Sequence, residues 1–504
     1  MKILFTQQLR QAYQQTIKKQ RITRRKLMER AAKQVFLWLQ KNTAADKKIV
    51  IYAGVGNNGG DGLAVARMLV KAKREVEVNI VNFNENPTDD FLKSLGALVR
   101  TKKVKITDLY SCSEIPEIQS DQVVVDAVFG MGFNRYVPEW IQCIFEKINH
   151  SKAYVVSIDI PSGFYADKVP LSDEVFVKPD VVLTFQSPKL IFLLPQTGKY
   201  IPHWEVLDVE LDVSVLKGIS TDYNFVTKEQ IQKIYKPRGR FSHKGSFGHA
   251  LLVGGSYGKV GAMVLGGTAV LRAGAGLLTM LAPKCAYDIL QTAVPEAMVI
   301  TSKHQRYITS VEVTFEPSAI GVGVGMETHN QTAQALFELL EKYAHIPFVI
   351  DADALNILAQ NPDKLSQLPE NTILTPHIKE LERLIGTWKD DFEKLAKAKK
   401  FAKKHKVVLI IKEAYTITTN GTHFWVNSTG NAGLATAGSG DVLTGILTGL
   451  LSQGYTPLQA SILGVYLHGK SGDRLAQLQG QESLTASDLC KAISLYDFRK
   501  ESSV

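Results

Sequence analysis

The sequence predicts two successive α/β domains, each built around a largely parallel sheet. Two observations predict this fold class. Apolar strand-like runs alternate with helical stretches along the chain, and the alternation starts twice. The first cycle opens with residues 48–53 (KIVIYA) and the second with residues 249–254 (HALLVG), and each run leads into a glycine-containing loop and then a helix.

The first cycle accounts for the N-terminal part of the chain. Residues 1–40 are predicted to be helical because Leu27, Ala31 and Val35 recur at helical spacing. A further helix is expected over residues 63–73. The predicted strands of this domain are residues 48–53, 76–81, 122–127, 153–158 and 180–185.

A weakly patterned segment, residues 212–222, is interpreted as a linker, which gives domains 1–218 and 224–504. The segment 415–426 predicts a hairpin that turns at Asn420-Gly421. Helices are expected over residues 261–273, 441–453 and 457–477, and strands over residues 249–254, 276–281, 319–323, 347–351, 372–375 and 407–412.

Composition excludes several classes of protein. The four cysteines form no CxxC pair, so neither a disulfide framework nor a zinc site is expected, and a reducing, cytoplasmic location fits. The N-terminal apolar run is too short for a signal peptide, and no segment has the apolar length of a membrane span. The net charge of +10 comes from Lys and Arg scattered over helices, which favours solvated faces over a nucleic-acid surface.

The strongest chemical signal is the run NAGLATAGSGD, residues 431–441. Gly438 and Gly440 allow close approach of a ligand to the backbone, and the free N–H groups of the helix that follows suit a phosphate. Asp441, in the first turn, is a candidate base for a hydroxyl that attacks a phosphoryl group. The alternative is that Asp441 only complements the helix dipole and the glycines only permit tight packing.

A second glycine-rich run, residues 54–62 (GVGNNGGDG), follows the first strand. It predicts phosphate or dinucleotide binding, and a tight turn without a ligand is the alternative. Asp126 and Asp159 end two further strands, and Ser162 follows the second of them. Because ligands gather at the carboxyl ends of parallel strands, three such loops favour a site there.

The C-terminal half resembles the ADP- or ATP-dependent NAD(P)H-hydrate dehydratases of the ribokinase-like superfamily. Besides residues 431–441, the segments that carry the resemblance are FSHKGSFG (241–248), LVGGS (252–256), RAGAGL (272–277), GVGVG (321–325), DADALN (351–356) and TPHIKE (375–380). The resemblance implies a three-layer α/β/α fold and Asp441 as the catalytic base. It further implies that Ala262, Gly323 or Gly325, His377 and Asp441 contact the hydrated cofactor. The implied nucleotide-binding residues are Lys412, Glu413, Ala414, Tyr415, Thr416, Gly438, Ser439 and Gly440.

One departure from this pattern lies at Lys412-Glu413, where the family usually has Lys-Gly. A glutamate beside phosphates is unfavourable unless its side chain points away from them. Mg²⁺ is expected with ADP, since phosphoryl transfer needs charge neutralisation, although no carboxylate cluster in the sequence identifies its ligands.

The N-terminal half is similar to the NAD(P)H-hydrate epimerase domain, with a Rossmann-like three-layer sandwich implied. The matching segments are LMERAA (27–32), NNGGDG (57–62), DAVFGMGFNR (126–135), DIPSG (159–163), TF (184–185) and PK (188–189). By position, a K⁺ ion would be held by Asn58, Asp126 and Ser162. The implied substrate-binding residues are Asn57, Asn58, Gly59, Gly60, Asp61, Gly130, Met131, Gly132, Phe133, Asn134, Arg135, Tyr136 and Asp159, and Asp159 is the candidate acid/base. The acidic residue that the family often has near Tyr13 is missing here.

Together the two resemblances imply a fused repair enzyme for hydrated NADH and NADPH, acting as a homo-oligomer on small molecules, without nucleic acid or membrane. The first domain would interconvert R and S epimers, and the second would dehydrate the S form using ADP or, as the second choice, ATP. Two rivals stay open. One is a small-molecule kinase for a vitamin precursor or a sugar, and the other is a non-catalytic binding role for the N-terminal domain.

Overall fold

The computed structural model describes residues 1–170 and 174–498, and the chain divides into two compact units. The first unit comprises Lys2–Thr221, and the second comprises Met1 and the chain from Asp222 onward. Met1 belongs to the second unit because its ammonium group donates a hydrogen bond to the carbonyl of Phe225 at 2.8 Å. The mixed α/β class predicted from the sequence is confirmed.

In the described part of the first unit, a seven-stranded sheet has the order β3-β2-β1-β4-β5-β6-β7, and all neighbouring strands are parallel. The strands are β1 (Ile49–Gly54), β2 (Val76–Val81), β3 (Lys105–Leu109), β4 (Val123–Ala127), β5 (Tyr154–Ile158), β6 (Val181–Phe185) and β7 (Trp204–Leu207). The helices are α1 (Thr6–Gln20), α2 (Arg24–Asn42), α3 (Asn57–Lys71), α4 (Asp89–Val99), α5 (Glu139–His150), α6 (Pro195–Gly198) and α7 (Val213–Gly218).

The side chains of β1 show why this sheet is covered on both faces. Ile49 and Ile51 pack into a core formed with α1, α2, α3 and α4, whereas Val50 and Tyr52 pack into a second core formed with α5. Successive residues of a strand point to opposite faces, so two separate cores require helices on both sides. The first unit is therefore a three-layer α/β/α sandwich.

In the described part of the second unit, a ten-stranded sheet has the order β11-β10-β9-β12-β13-β14-β15-β16-β17-β8. The strands are β8 (Tyr223–Phe225), β9 (His249–Val253), β10 (Leu277–Ala282), β11 (Met298–Thr301), β12 (Ala319–Val322), β13 (Phe348–Ile350), β14 (Ile373–Leu374), β15 (Val408–Ile411), β16 (Ile417–Thr419) and β17 (Phe424–Val426). β16 pairs antiparallel with both neighbours, and the other pairings are parallel. The central strands β12, β13 and β15 are buried throughout, as expected for a sheet covered on both faces.

The helices of the second unit are α8 (Lys228–Ile234), α9 (Val260–Arg272), α10 (Tyr287–Ala293), α11 (Asn330–Lys342), α12 (Ala352–Gln360), α13 (Ile378–Ile385), α14 (Asp391–His405), α15 (Ser439–Ser452), α16 (Pro457–Gln479) and α17 (Ala486–Ala492). The backbones of α9 and α15 approach each other closely. A Cβ added at Gly445 would collide with the carbonyl oxygen of Gly266 and lie 2.7 Å from the Cβ of Ala269. The close approach of these two helices therefore requires glycine on α15.

Several elements differ from the sequence predictions. The segment interpreted as a linker contains α7, whose N-terminus is capped by Asp212 accepting from the backbone N–H groups of Ser214 and Val215. Residues 1–40 form two helices, because Arg21 adopts a left-handed φ of 53° after α1. The predicted hairpin is confirmed, with Gly421 at a φ of 83° in the turn between β16 and β17.

Four strands were missed, namely β3, β7, β8 and β11, and they are the edge strands of the two sheets. Their residues are largely half-buried or exposed, so they lack the apolar runs that predicted the central strands.

No disulfide framework was expected, and one pair of cysteines departs from that expectation. Cys112 and Cys143 form a disulfide, and the tertiary fold brings them together across 31 residues of sequence. Within the described residues, no helix is both long enough and apolar enough to cross a membrane.

Candidate active sites

A cavity of about 590 Å³ opens in the first unit at the carboxyl end of its sheet. The walls come from α1, α2, the start of α3 and the loops after β4 and β5. The predicted substrate-binding residues that line it are Asn57, Asn58, Asp61, Gly130, Met131, Gly132, Phe133, Asn134, Arg135 and Asp159. The structure therefore brings most of the predicted set into one site.

Three predicted residues do not line this cavity. A Cβ at Gly59 would collide with the carbonyl oxygen of Gly54, so Gly59 lets the start of α3 approach β1. A Cβ at Gly60 would lie 2.9 Å from the Cε of Met28, so this glycine also serves packing. Tyr136 has an exposed side chain.

The run NNGGDG was interpreted as a loop, but it forms the first turns of α3, which begins at Asn57 after Gly56. The interpretation as a loop was wrong because the glycines serve helix packing rather than a turn. A helix that starts at Asn57 supports the predicted binding of a phosphate or dinucleotide. The free N–H groups and positive dipole end of α3 face the cavity edge at Gly56, Asn57 and Asn58, where an anionic group would be stabilised.

Asp159 stands directly after β5 with a left-handed φ of 68°, which is a strained conformation for a non-glycine residue. Its Oδ1 lies 3.2 Å from the Nζ of Lys189, and accepts hydrogen bonds from the hydroxyl of Thr184 at 3.2 Å and the N–H of Phe185 at 3.3 Å. Lys189 is buried. The two hydrogen bonds and the buried Lys189 cation hold the carboxylate in place.

Lys189 was not among the predicted site residues. The available signal was its place in the quoted segment Pro188-Lys189, next to Thr184-Phe185. Only the fold shows that this lysine turns back to Asp159, because the contact spans 30 residues of sequence.

The residues predicted to bind K⁺ form a buried polar group. The carboxylate of Asp126 accepts hydrogen bonds from the hydroxyl of Ser157 at 2.7 Å, from the N–H of Ser162 at 2.8 Å and from the hydroxyl of Ser162. The Nδ2 of Asn58 donates to the carbonyl of Ile158 at 3.3 Å, whereas its Oδ1 is buried without a hydrogen-bond partner. A buried amide oxygen without a donor is a ready ligand for a hard cation, so the residue types and their burial fit the group.

Cations and aromatic rings complete the cavity. Arg10, Arg24 and Arg135 line it, and the guanidinium of Arg135 lies 5.4 Å from the ring centroid of Phe83. The rings of Phe129 and Phe133 stack with centroids 4.7 Å apart. Such walls suit a ligand that is both anionic and aromatic.

In the second unit, the predicted phosphate-binding turn lies at the start of α15. Gly438 precedes the helix with a left-handed φ of 85°, and the helix begins at Ser439. The Nε2 of His468 lies 2.9 Å from the carbonyl oxygen of Ser439 and 3.1 Å from its hydroxyl. Burial lowers the pKa of His468 to about 4, so the imidazole is neutral near pH 7. It stabilises the turn through these contacts without adding a charge. The sequence analysis did not single out His468.

Asp441 lies in the first turn of α15. Burial, followed by the negative charge of Asp351, raises its pKa to about 6, against the opposing charge of Lys412. A carboxyl group with this pKa is ionised near pH 7 and can readily accept a proton. Both properties suit the predicted role of a base.

Beneath this turn, Asp351 is the buried residue that organises the polar groups. It accepts hydrogen bonds from the Nζ of Lys412 at 2.9 Å and the hydroxyl of Thr444 at 2.6 Å. A Cβ at Gly440 would lie 3.5 Å from the Nζ of Lys412, so this cation stands beside the backbone of the turn. Asp351 belongs to the quoted segment DADALN, but its function as the partner of Lys412 was not predicted.

The side chain of Glu413 turns away from the turn that begins α15. It forms an ion pair with Lys394 of α14, whose side chain is 1% exposed and which also binds Asp391 at 2.7 Å. Burial raises the pKa of Glu413, and the charge of Lys394 opposes that shift. Glu413 was predicted to bind nucleotide. Its carboxylate is engaged by Lys394, so the prediction now concerns the backbone of this residue. Of the same predicted segment, Ala414 is exposed, while Tyr415 and Thr416 are half-buried.

His377 caps α13, with its Nδ1 accepting hydrogen bonds from the N–H groups of Lys379 at 3.1 Å and Glu380 at 3.3 Å. Its backbone bridges to Lys412, which places it beside the turn that begins α15. Burial and then the charge of Lys412 lower its pKa, so its ring is neutral at pH 7.

The two glycines named as alternatives for substrate contact differ in their surroundings. A Cβ at Gly323 would collide with the carbonyl oxygen of Asp351, so Gly323 serves packing against the end of β13. A Cβ at Gly325 would lie 3.2 Å from the Cβ of Ala262. The structure thus brings Gly325 and Ala262 together.

Two family models match the chain, one in each unit. The family described as "YjeF-related protein N-terminus" matches residues 24–191, and the family described as "NAD(P)H-hydrate dehydratase" matches residues 250–495. The chain is 33% identical over 482 residues to the bifunctional NAD(P)H-hydrate repair enzyme Nnr of Moorella thermoacetica, covering 92% of this chain and 90% of the relative. The chain belongs to the bifunctional NAD(P)H-hydrate repair enzyme family.

A second member of this repair enzyme family, from Escherichia coli, is 33% identical over 478 residues and covers 93% of this chain and 88% of its own length. The solved structure of the ADP/ATP-dependent NAD(P)H-hydrate dehydratase from Bacillus subtilis, co-crystallised with ATP and Mg²⁺, is 28% identical with a TM-score of 0.47. It covers 54% of this chain and 97% of that one. A ribokinase-like superfamily protein from Enterococcus faecalis is 25% identical with a TM-score of 0.49, covering 55% of this chain and 96% of its own.

Proposed function

We propose that this chain repairs hydrated NADH and NADPH in two steps. The first unit, as an epimerase domain over residues 1–218, interconverts the R and S epimers. The second unit, as a dehydratase domain over residues 224–504, converts the S form to NADH or NADPH while ADP becomes AMP and phosphate. Membership of the repair enzyme family supports both activities.

The observation that carries the dehydratase proposal is the position of Asp441 in the first turn of α15, beside Lys412 and the buried Asp351. The free N–H groups at the start of α15 bind a phosphate of the nucleotide, and the Lys412 charge adds to the dipole of the helix. Gly438, Ser439, Gly440 and the backbone of residues 412–416 form this nucleotide site.

Asp441 takes the proton from the hydroxyl group of the hydrated ring while that oxygen bonds to the terminal phosphorus of ADP, and the bond from this phosphorus to its bridging oxygen breaks to release AMP. The resulting phosphate ester leaves as inorganic phosphate when the ring nitrogen lone pair expels it, and loss of a neighbouring ring proton restores the reduced nicotinamide. Ala262, Gly325 and His377 position the hydrated ring beside Asp441.

Mg²⁺ supplies charge neutralisation on the nucleotide phosphates. The described residues contain no cluster of three or more acidic, histidine or cysteine side chains that could hold a metal. We therefore assign Mg²⁺ mainly to phosphate and water ligands, which is a common arrangement for this ion.

In the first unit, the cavity of about 590 Å³ receives the hydrated cofactor, and Asp159 acts as an acid/base in the interconversion of the two epimers at the hydrated carbon. Arg10 and Arg135 bind the phosphates of the hydrated cofactor, and the free N–H groups at the start of α3 add to this positive environment. Asn58, Asp126 and Ser162 hold K⁺, which supplies a fixed positive charge at the edge of the cavity. The buried Oδ1 of Asn58, which lacks a partner in the described structure, supports this assignment.

We also propose that the enzyme works in the cytoplasm as a homo-oligomer. Light scattering of the purified chain and fractionation of cells test these two points.

The test of the function is incubation of the purified chain with a mixed-epimer hydrate, with ADP and ATP in separate tubes. Reduced nicotinamide absorbance and free phosphate are followed together. Conversion of both epimers in equal yield supports two active units. Conversion of only half the material would show that the dehydratase is active and the epimerase is not. A stable phosphorylated product without reduced nicotinamide would instead identify a small-molecule kinase.

A further inference from the structure

Two carboxyl groups of the first unit, those of Asp61 and Asp159, face the same cavity. Asp61 lies near the start of α3, which follows β1, while Asp159 follows β5. In the sheet order, β4 separates these two strands. Two strand spacings amount to about 10 Å between the backbones of β1 and β5, so the two carboxyl groups reach the cavity from different strands.

The two carboxyl groups have opposite surroundings. Asp159 is held by the buried ammonium of Lys189, the hydroxyl of Thr184 and the N–H of Phe185. In the described part of the chain, the side chain of Asp61 has neither a hydrogen bond nor an ion pair. The Asp159 carboxylate therefore faces a buried cation and two hydrogen-bond donors. The Asp61 carboxyl group lacks such donors in the described structure, which favours its neutral acid.

Charged and titratable groups surround Asp61 on every side of the cavity. Those lining it from the neighbouring elements are Arg10 and Tyr13 of α1, Arg24 of α2, Asp90 of α4, Arg135 and Asp159. Burial and then the negative charges of Asp159 and Asp90 raise the pKa of Asp61. Burial raises the pKa of the Tyr13 phenol, and the negative charges of Asp159 and Asp61 raise it further. The phenol of Tyr13 therefore lies near both aspartates.

We propose that Asp61 is a second catalytic carboxyl group of the epimerase and works as a pair with Asp159 on the hydrated ring carbon. This proposal rests on the epimerase function proposed above for the first unit. Asp61 had been assigned only to substrate binding. Inversion at one carbon requires a catalytic group on either side of the ring. With two carboxyl groups, each epimer receives its proton from a different aspartate.

In one direction, the epimers interconvert by loss and re-addition of water. The protonated Asp61 donates its proton to the hydroxyl group, the C–O bond breaks to release water, and the ring nitrogen lone pair forms a C=N bond. Water then adds to the opposite face, one of its protons passes to the Asp159 carboxylate, and the C=N pair returns to nitrogen. The reverse direction uses the two residues in exchanged roles, and proton exchange with solvent resets them.

The test uses the full chain without ADP, so that the dehydratase is silent, and follows the exchange of one purified epimer into the other. Asp61→Asn is expected to lower kcat on the order of 100-fold or more with little change in KM, because acid–base groups contribute about that much. It should also remove the basic limb of the pH profile of kcat, which requires a protonated Asp61. The matched control is Asp90→Asn, which removes a charge from the same cavity and should keep kcat within about threefold.

Circular dichroism and urea unfolding of each variant show whether the first unit, which carries both substitutions, remains folded. If Asp61→Asn keeps the wild-type kcat and both limbs of its pH profile, or changes only KM, the pairing is overturned and Asp61 is a binding residue. If the wild-type chain itself does not speed epimer exchange, the proposed epimerase function fails, which is a separate result.

Discussion

The Nζ of Lys412 lies 2.9 Å from the Oδ1 of Asp351, although 60 residues of the chain separate them. The same carboxylate accepts a hydrogen bond from Thr444 of α15 at 2.6 Å. Asp351 thus joins the ends of β13 and β15 to the helix that carries Asp441. Its buried negative charge is one cause of the raised pKa of Asp441, and the first predictions test this relationship.

The dehydratase activity should depend on ionised Asp441. Because its pKa is raised to about 6, kcat/KM for the S epimer should fall as the pH drops below about 6, when the base becomes protonated. Asp441→Asn should lower kcat on the order of 100-fold or more and remove this acid limb. Phosphate release with ADP, measured across pH, checks both points. Full turnover of the asparagine variant would contradict the role of the base.

Asp351→Asn should move the acid limb of the dehydratase to lower pH. The substitution removes a negative charge that raises the pKa of Asp441 and leaves the opposing positive charge of Lys412 uncompensated. Asp353→Asn is the matched control, since Asp353 acts in the same direction but less than Asp351. The pH profile of kcat/KM measures each shift. An unchanged limb in Asp351→Asn would show that Asp351 does not act on Asp441.

The buried ion pair of Lys394 and Glu413 should be important for stability. Lys394→Met leaves Glu413 and Asp391 buried without their cation, which should lower the free energy of unfolding by about 3–5 kcal/mol. Lys397→Met is the control on the same helix, because its ion pair with Glu393 is partly exposed and worth less than about 1 kcal/mol. Urea unfolding compares the two variants, and equal losses would contradict the prediction.

The close approach of α9 and α15 should not tolerate a methyl group at Gly445. Gly445→Ala forces the Cβ against the backbone of Gly266, which should cost about 1–3 kcal/mol as in other overpacked cores. Gly261→Ala in α9 has no atom within 4 Å of its new Cβ and should be neutral or stabilising by up to about 1 kcal/mol. Thermal and urea unfolding provide the measurement. A neutral Gly445→Ala would show that the helices can separate without cost.

Asn58→Ala should weaken the response of the epimerase to K⁺. The variant removes the buried Oδ1 proposed as a ligand, so the K⁺ concentration for half-maximal epimer exchange should rise about tenfold or more. Gln14→Ala, in the same cavity wall, is the control and should leave the K⁺ dependence unchanged. Identical K⁺ titrations of wild type and Asn58→Ala would remove Asn58 from the ion site.

Local chemistry explains which parts of this protein could be predicted. The central strands and the GSGD helix were predicted because long apolar runs and glycine spacing are properties of neighbouring residues. The four edge strands were missed because a half-exposed strand has no such run, and its partner is chosen by the sheet. The start of α3 was misplaced because Gly59 and Gly60 read as a loop until their packing partners, Gly54 and Met28, are known.

The sequence by itself determined the α/β class, the two-domain organisation, the glycine-rich start of α15 and the candidate carboxylates at 159 and 441. Tertiary structure alone decided which side chains accompany those carboxylates: Lys189 beside Asp159, and Asp351 with Lys412 beside Asp441. It also decided that the side chain of Glu413 pairs with Lys394 and turns away from the start of α15. The physical reason is that periodicity and turn chemistry act between neighbours in the chain. Charge pairing and burial act through space, between residues that the chain order keeps apart.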